Sequence, residues 1–408
     1  MNKRQFLKSS LGLGLVPSLA QLLAQPAAAD DEAFWAQVRK AYRLKPDYIN
    51  LENGYYNILP EETLEKHLNH IREINYQGAY YMRTTQFPDR KAMSNLVADI
   101  VHCSPDDLIL TRNTTESLDM IIGGYPWQAG DEAVFAIQDY GAMQDMFAQV
   151  ARRQAIVLKK ISLPLHPKND EEIVDLYASA ITPKTKLLMV CHMVNVTGQI
   201  LPIRKICDMA HAKGVEVMVD GAHAVAHIEF NLPDLHCDYY GASLHKWLAV
   251  PLGVGMLYIK PEHVSKIWPV FAENEQAAKG IERLNHLGTN PVHAHLAVKD
   301  AVDFYRQLGP ARKEARLRYL QQYWTRQVRH LPGISVNTPA DPARHGAIAN
   351  VGVGRLKPAE LAKRLLEEFK IYTVAIDGND VHGCRITPNV FTSTAELDQL
   401  VRALKALA

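Results

Sequence analysis

Between residues 187 and 259, short apolar runs alternate with helical spacings, and this alternation restricts the possible folds more than any other feature of the chain. Residues 187–193 form an apolar run of strand length. Ile203, Ile206, Cys207 and Ala210 then recur at the spacing of one helix face, and Gly214 after Lys213 is the expected stop. Residues 215–219 read as the next strand, ending at Asp220, and 239–243 and 255–259 as two more. Strands separated by helices build a mainly parallel sheet with helices on its faces, so the expected fold class is α/β.

The rest of the chain adds a second unit and a leader. At 408 residues and 47% hydrophobic, the chain suits one large domain with a smaller one beside it. Residues 292–330 read as long helices. A shorter α+β pattern follows, with strands near 347–353 and 371–374, a helix over 358–369, and a last helix opened by a Ser393/Glu396 capping box. We place the large domain at 51–290 and the smaller C-terminal domain at 291–408, with residues 30–50 returning to pack on the latter. Residues 1–29 have the order of an export signal: Lys3, Arg4 and Lys8, an apolar stretch over 11–23 too short to span a bilayer, then Ala27-Ala28-Ala29 as a cleavage pattern. The mature chain is expected to begin near Asp30, in the periplasm. No later apolar run approaches membrane-spanning length, so no membrane is expected for it.

Charge excludes some partners. Lys plus Arg is 45 and Asp plus Glu is 44, which leaves no global basic field for nucleic acid. Cys103, Cys191, Cys207, Cys237 and Cys384 are widely spaced and form no C-x-x-C, which argues against disulfide-dense and zinc-ribbon frameworks. His192 beside Cys191 and His102 beside Cys103 lack metal-ligand spacing. Gly253-Val254-Gly255 precedes a strand instead of opening a helix, which disfavours a dinucleotide site.

Four short segments carry chemistry in combination. Arg112-Asn113-Thr114-Thr115-Glu116 opens a helix with free N–H groups and two hydroxyls, which suits a phosphate as well as a plain cap. Val219-Asp220-Gly221-Ala222-His223 sets a carboxylate at a strand's carboxyl end, where open α/β sheets bind ligands. Such a carboxylate can keep a pyridinium nitrogen protonated, or merely cap a loop. Ser243-Leu244-His245-Lys246-Trp247 sets a lysine past another strand, able to form an imine with an aldehyde; alone it would read as a surface lysine. Gly288-Thr289-Asn290 is a turn whose hydroxyl suits a phosphate.

Together these segments resemble the class V aminotransferase family of PLP-dependent enzymes, over roughly residues 50–407. The most specific piece is Val-Asp-Gly-Ala-His at 219–223 paired with Ser-x-His-Lys at 243–246. The resemblance implies fold type I: a large domain with a mainly parallel seven-stranded sheet and a smaller α+β domain. It implies pyridoxal 5′-phosphate (PLP) held as an imine on Lys246, Asp220 at the pyridine nitrogen, and His223 and Asn195 beside the ring O3′. Thr114, Thr115, Ser243 and His245 would hold the phosphate. Tyr140, in Asp139-Tyr140-Gly141, would stack on the ring. Thr289 would reach a neighbouring subunit's phosphate, which implies a homodimer. Arg385, in Cys384-Arg385-Ile386-Thr387, would clamp the α-carboxylate of an amino-acid substrate, with Asn53 also at the substrate.

Within that family, Asn50-Leu51-Glu52-Asn53-Gly54 and a tyrosine at the stacking position look closer to the isopenicillin N epimerase-like branch. Cysteine desulfurases carry a nucleophilic Cys before the carboxylate arginine, and residues 375–382 hold none. The expected activity is therefore an aminotransferase or an isopenicillin N epimerase-like enzyme. A PLP-dependent lyase or desulfurase is the alternative, and a periplasmic solute-binding protein the alternative of another class. Arg83 is a second anion contact or a surface charge. The leader's Lys3-Arg4-Gln5-Phe6-Leu7-Lys8 resembles a twin-arginine signal with Lys in the first position, which implies export by the twin-arginine machinery.

Overall fold

The computed structural model describes residues 19–271 and 280–408. Lys3, Arg4, Lys8 and residues 11–18 of the apolar stretch expected to belong to an export signal lie outside the described residues. The first strand, β1 (Ile49–Asn50), belongs to the smaller unit. Strands β2 (Leu108–Thr111), β3 (Glu132–Ala136), β4 (Val157–Ile161), β5 (Thr185–Cys191), β6 (Glu216–Asp220), β7 (Tyr239–Ser243) and β8 (Gly255–Ile259) form one seven-stranded sheet. Their order is β2-β8-β7-β6-β5-β3-β4, and only β8 runs against its neighbours. A central strand of such a sheet is covered on both faces and must be apolar on both sides. Accordingly, Leu187, Leu188, Met189 and Val190 of β5 and Val217, Met218 and Val219 of β6 are all buried.

One of the two cores flanking this sheet holds the helix Val292–Leu308, through Ala294, Val298, Ala301 and Val302. The domain boundary expected at 290 therefore falls one helix later. Gly309, at φ 86°, breaks the expected helical stretch, and Pro310–Val328 then turns into the other unit. That unit has its own core, with Leu320, Trp324, Ala349, Val351, Leu361 and Leu397. It is built on an antiparallel sheet of β9 (Ile334–Val336), β10 (Ala349–Val353), β12 (Val374–Gly378) and β13 (Val381–Ile386), in the order β12-β13-β10-β9. The helix Thr394–Leu407 covers it and starts at the Ser393/Glu396 capping box.

Within residues 30–50, Phe34, Trp35 and Val38 pack in a core shared by both units, with Met193 and Trp247 as well as Ala347 and Phe391. β1 pairs in parallel with β11 (Ile371–Tyr372), and Arg39 meets Glu396 at 2.7 Å. Residues 19–29 also pack on the body. In the helix Leu19–Leu23, Leu22 and Leu23 are buried with Phe34 and Trp35. Arg312 donates to the carbonyls of Leu23 and Gln25, and Arg316 to that of Ala29.

Candidate active site

Parallel strands deliver their carboxyl ends to one edge of the sheet, and that edge holds the chemistry. Asn195 follows β5, Asp220 ends β6, Ser243 ends β7, and His245 and Lys246 follow in the next turn. The helix Thr114–Gly124 begins beside them, its first turn capped by Asn113, whose Oδ1 accepts from the Glu116 N–H. Close approach needs small residues here. A Cβ on Gly255 would come within 2.6 Å of Asn113 Cα, and one on Gly221 within 2.1 Å of the Tyr240 ring.

A cavity of about 340 Å³ opens at this edge. Thr114, Thr115, Tyr140, Asn195, Asp220, His223, Ser243, His245, Lys246 and Arg385 all line it, so most of the expected site residues meet in one place. At its floor Thr114 donates its backbone N–H to Ser243 Oγ at 2.9 Å, and their hydroxyls lie 2.7 Å apart. A helix N-terminus ringed by hydroxyls is an anion cup. Asn195 Oδ1 and His245 Nδ1 are buried without a hydrogen-bond partner among the described residues, a costly state unless a ligand supplies one.

Asp220 is buried, and among the described residues its Oδ1 accepts only the Ala222 N–H, at 2.9 Å. Burial raises its pKa, against the pull of that bond and of the Lys246 charge. A cation set against it would relieve that cost. Lys246 Nζ lies 3.2 Å from His223 Nε2. Burial lowers Lys246 to about 8, with Arg385 adding to the effect and Asp220 opposing it. The sign is that of an activated amine: near pH 8 it is half neutral, a fraction roughly a hundredfold above that of an ordinary lysine. Competitive acylation of the apoenzyme should show Lys246 reactivity rising with a midpoint near pH 8, whereas surface lysines titrate near 10. A midpoint above 10 for Lys246 would contradict this environment.

Arg385, on β13, enters the cavity from the smaller unit. Its Nε donates to Glu52 Oε2 at 3.1 Å, its Nη2 to Glu52 Oε1, and its Nη1 to the Asn195 carbonyl at 3.2 Å. One N–H each on Nη1 and Nη2 remains, enough for a carboxylate fork. Glu52 was not singled out by the sequence, and it is the residue that orients this guanidinium. Gly54, Tyr55 and Leu252 also line the cavity without having been anticipated.

Two expected residues, and Arg83, which the sequence left open, sit apart from it. Asn53 is fully buried, with its Nδ2 on the Thr387 carbonyl at 2.7 Å and its Oδ1 accepting from Asn50. It ties β1 to the strand end after β13 instead of facing substrate. Thr289 lies on an exposed turn outside the cavity, and Arg83 is exposed on the helix Ala79–Thr84. Cys384 is buried on β13 with its Sγ 3.5 Å from the Pro358 carbonyl, and burial pushes its thiol up to about 12. It is neither a thiolate nor a cavity residue.

The family profile described as Aminotransferase class-V matches residues 61–403. The chain belongs to the class V aminotransferase family. It is similar to the isopenicillin N epimerases of Streptomyces clavuligerus, at 29% identity, and Amycolatopsis lactamdurans, at 30%. Each comparison covers 92% of this chain and 98% of the relative. A cysteine desulfurase of Thermococcus onnurineus shares the fold, with a TM-score of 0.80 over 91% of this chain and 98% of that one, at 20% identity. The class V chain described here is therefore of PLP-dependent fold type I, and its cofactor is PLP. The anion cup, the buried carboxylate at Asp220, the low-pKa amine and the two orphaned polar atoms all suit that cofactor.

Proposed function

We propose that this enzyme removes the α-proton of an α-amino acid, as an aminotransferase or an isopenicillin N epimerase-like enzyme. The observation that carries the reading is the low-pKa amine of Lys246, which shares one cavity with a guanidinium that has two N–H groups to spare. PLP, when bound, supplies the electron sink that makes such a proton removable. Thr114, Thr115, Ser243 and His245 would hold its phosphate, Asp220 its ring nitrogen, Asn195 and His223 its O3′ side, and Tyr140 one ring face. Arg385 would hold the substrate carboxylate, oriented by Glu52. Lys246 would move the proton.

Deuterium oxide separates the two reactions. An epimerase returns α-deuterated substrate of mixed chirality, whereas an aminotransferase gives an oxo acid. Intact, unexchanged substrate across an amino-acid panel would count against both. The lyase and desulfurase reading has relatives in its favour, such as a probable cysteine desulfurase of Synechocystis at 27% identity. A persulfide needs a thiolate within reach, and among the described residues no cysteine lines the cavity.

Arg385→Lys should lower kcat/KM about 30-fold, or about 2 kcal/mol of transition-state stabilisation. Lysine keeps the charge but cannot both hold Glu52 along one edge and present a two-pronged edge to a carboxylate. An amine lacking a carboxylate should be indifferent to the change. If the true substrate is also indifferent, Arg112, the other arginine lining the cavity among the described residues, becomes the next residue to test.

We further propose a homodimer, with Thr289 completing the neighbour's phosphate site. The exposed Leu252 and Tyr55 at the cavity mouth support a covering surface there. We also propose twin-arginine export and cleavage near Ala29, giving a periplasmic enzyme. That route moves folded proteins, which allows PLP to be loaded first. N-terminal sequencing of exported protein should begin near Asp30; a cytoplasmic protein that keeps residues 1–29 overturns it. Cleavage would also remove Leu22 and Leu23 from their contacts with Phe34 and Trp35.

A further inference from the structure

His223 has two ring nitrogens, and each meets one partner. Nδ1 lies 3.2 Å from the indole Nε1 of Trp247, and Nε2 lies 3.2 Å from Lys246 Nζ. An indole N–H can only donate, so Nδ1 must accept. The proton of the neutral ring then sits on Nε2. The neighbouring His227 is fixed by the same logic. The Ala347 N–H donates to His227 Nε2 at 2.7 Å, so His227 carries its proton on Nδ1 and donates it to the His223 carbonyl at 2.9 Å.

Trp247 has no freedom to turn away. It is fully buried, its ring lies 3.8 Å from that of His227 between centroids, and its carbonyl accepts from Lys313 Nζ. The other neutral tautomer of His223 would set an N–H against the indole N–H, leaving two buried donors unpaired. A second proton on His223 is opposed as well: burial, then the charges of Lys246 and Arg385, hold its pKa well below the ordinary value.

We propose that Trp247 is a positioning residue that fixes His223 as a hydrogen-bond donor toward Lys246 and the cavity. With Nε2 already protonated, His223 has no lone pair on its cavity side and cannot take up a proton there. It offers an N–H to whatever acceptor stands there, the lone pair of Lys246 when that amine is neutral or an oxygen of a bound ring. Proton movement is left to Lys246. This deepens the PLP reading, since it concerns the group beside the cofactor, but the tautomer itself exists without the cofactor and without any substrate.

The test uses the full-length apoenzyme labelled with 15N at histidine. Long-range 1H–15N correlation spectra report the tautomer of each ring, and His223→Gln identifies the His223 signals. The expected spectrum has Nε2 protonated and Nδ1 bare. A wild-type His223 protonated at Nδ1 overturns the proposal, whatever reaction the enzyme performs. Trp247→Phe keeps an aromatic ring against His227 and removes only the donor. It should move the His223 signals toward a mixture of tautomers and weaken PLP retention about two- to tenfold. An unchanged tautomer in that variant overturns the role given to Trp247. If Trp247→Phe does not fold, the wild-type spectrum still decides between the two tautomers.

Discussion

Lys246→Ala should cost at least about 10³-fold in turnover while leaving PLP bound. Among the described residues Lys246 is the one lysine lining the cavity, so no described neighbour can replace it as nucleophile or proton carrier. The phosphate cup of Thr114 and Ser243 and the Asp220 carboxylate are untouched by the change, which is why non-covalent binding should survive. Borohydride treatment followed by peptide mapping should place a pyridoxyl group on Lys246 in the wild type and nowhere in the variant. Lys313 is the sharpest internal control. Burial lowers its pKa as well, to about 7, but its Nζ faces the Trp247 carbonyl and it does not line the cavity. A pyridoxyl group on Lys313, or full turnover in Lys246→Ala, would refute the assignment.

How much of this was legible in the sequence follows from which interactions are local. The alternation of strands and helices reports burial on both faces of a sheet, so the α/β class could be read directly. The strand-end positions of Asp220, Ser243 and Lys246 followed, because parallel strands gather their carboxyl ends. Glu52 could not be found this way. It meets Arg385 only because β1 and the segment after it run beside the C-terminal strands, with a bridge between Glu52 and Thr387. The sequence drew attention to the right segment and to the wrong neighbour. Successive residues of an extended segment face opposite sides, so Asn53 turns toward the Thr387 carbonyl while Glu52 turns toward the guanidinium. The helix Val292–Leu308 teaches the same point on a larger scale. Its amphipathic pattern announces a helix, but not which of two cores it will join.

Asp220→Asn should bind PLP and fold, yet lose roughly 10²–10³-fold in turnover. The fold should survive because an amide oxygen can still accept the Ala222 N–H. The chemistry should not, because a neutral amide cannot balance a pyridinium charge, and an unprotonated ring withdraws electrons poorly. Burial makes this position demanding in both directions. It raises the pKa of Asp220 when no cation faces it, and it strengthens the attraction once one does. The substitution carries a second signature that a mere packing defect would lack. The Asp220 charge is the largest influence holding the Lys246 pKa up against desolvation. Its removal should therefore move the Lys246 acylation midpoint below about 8, toward a more readily neutral amine. The variant is thus expected to hold a more available amine and still to turn over slowly, which separates the electron-sink role of Asp220 from any effect on lysine activation. Wild-type turnover in Asp220→Asn would mean that the reaction proceeds without a protonated ring, and an unmoved Lys246 midpoint would mean that the two groups are not electrostatically coupled across the cavity.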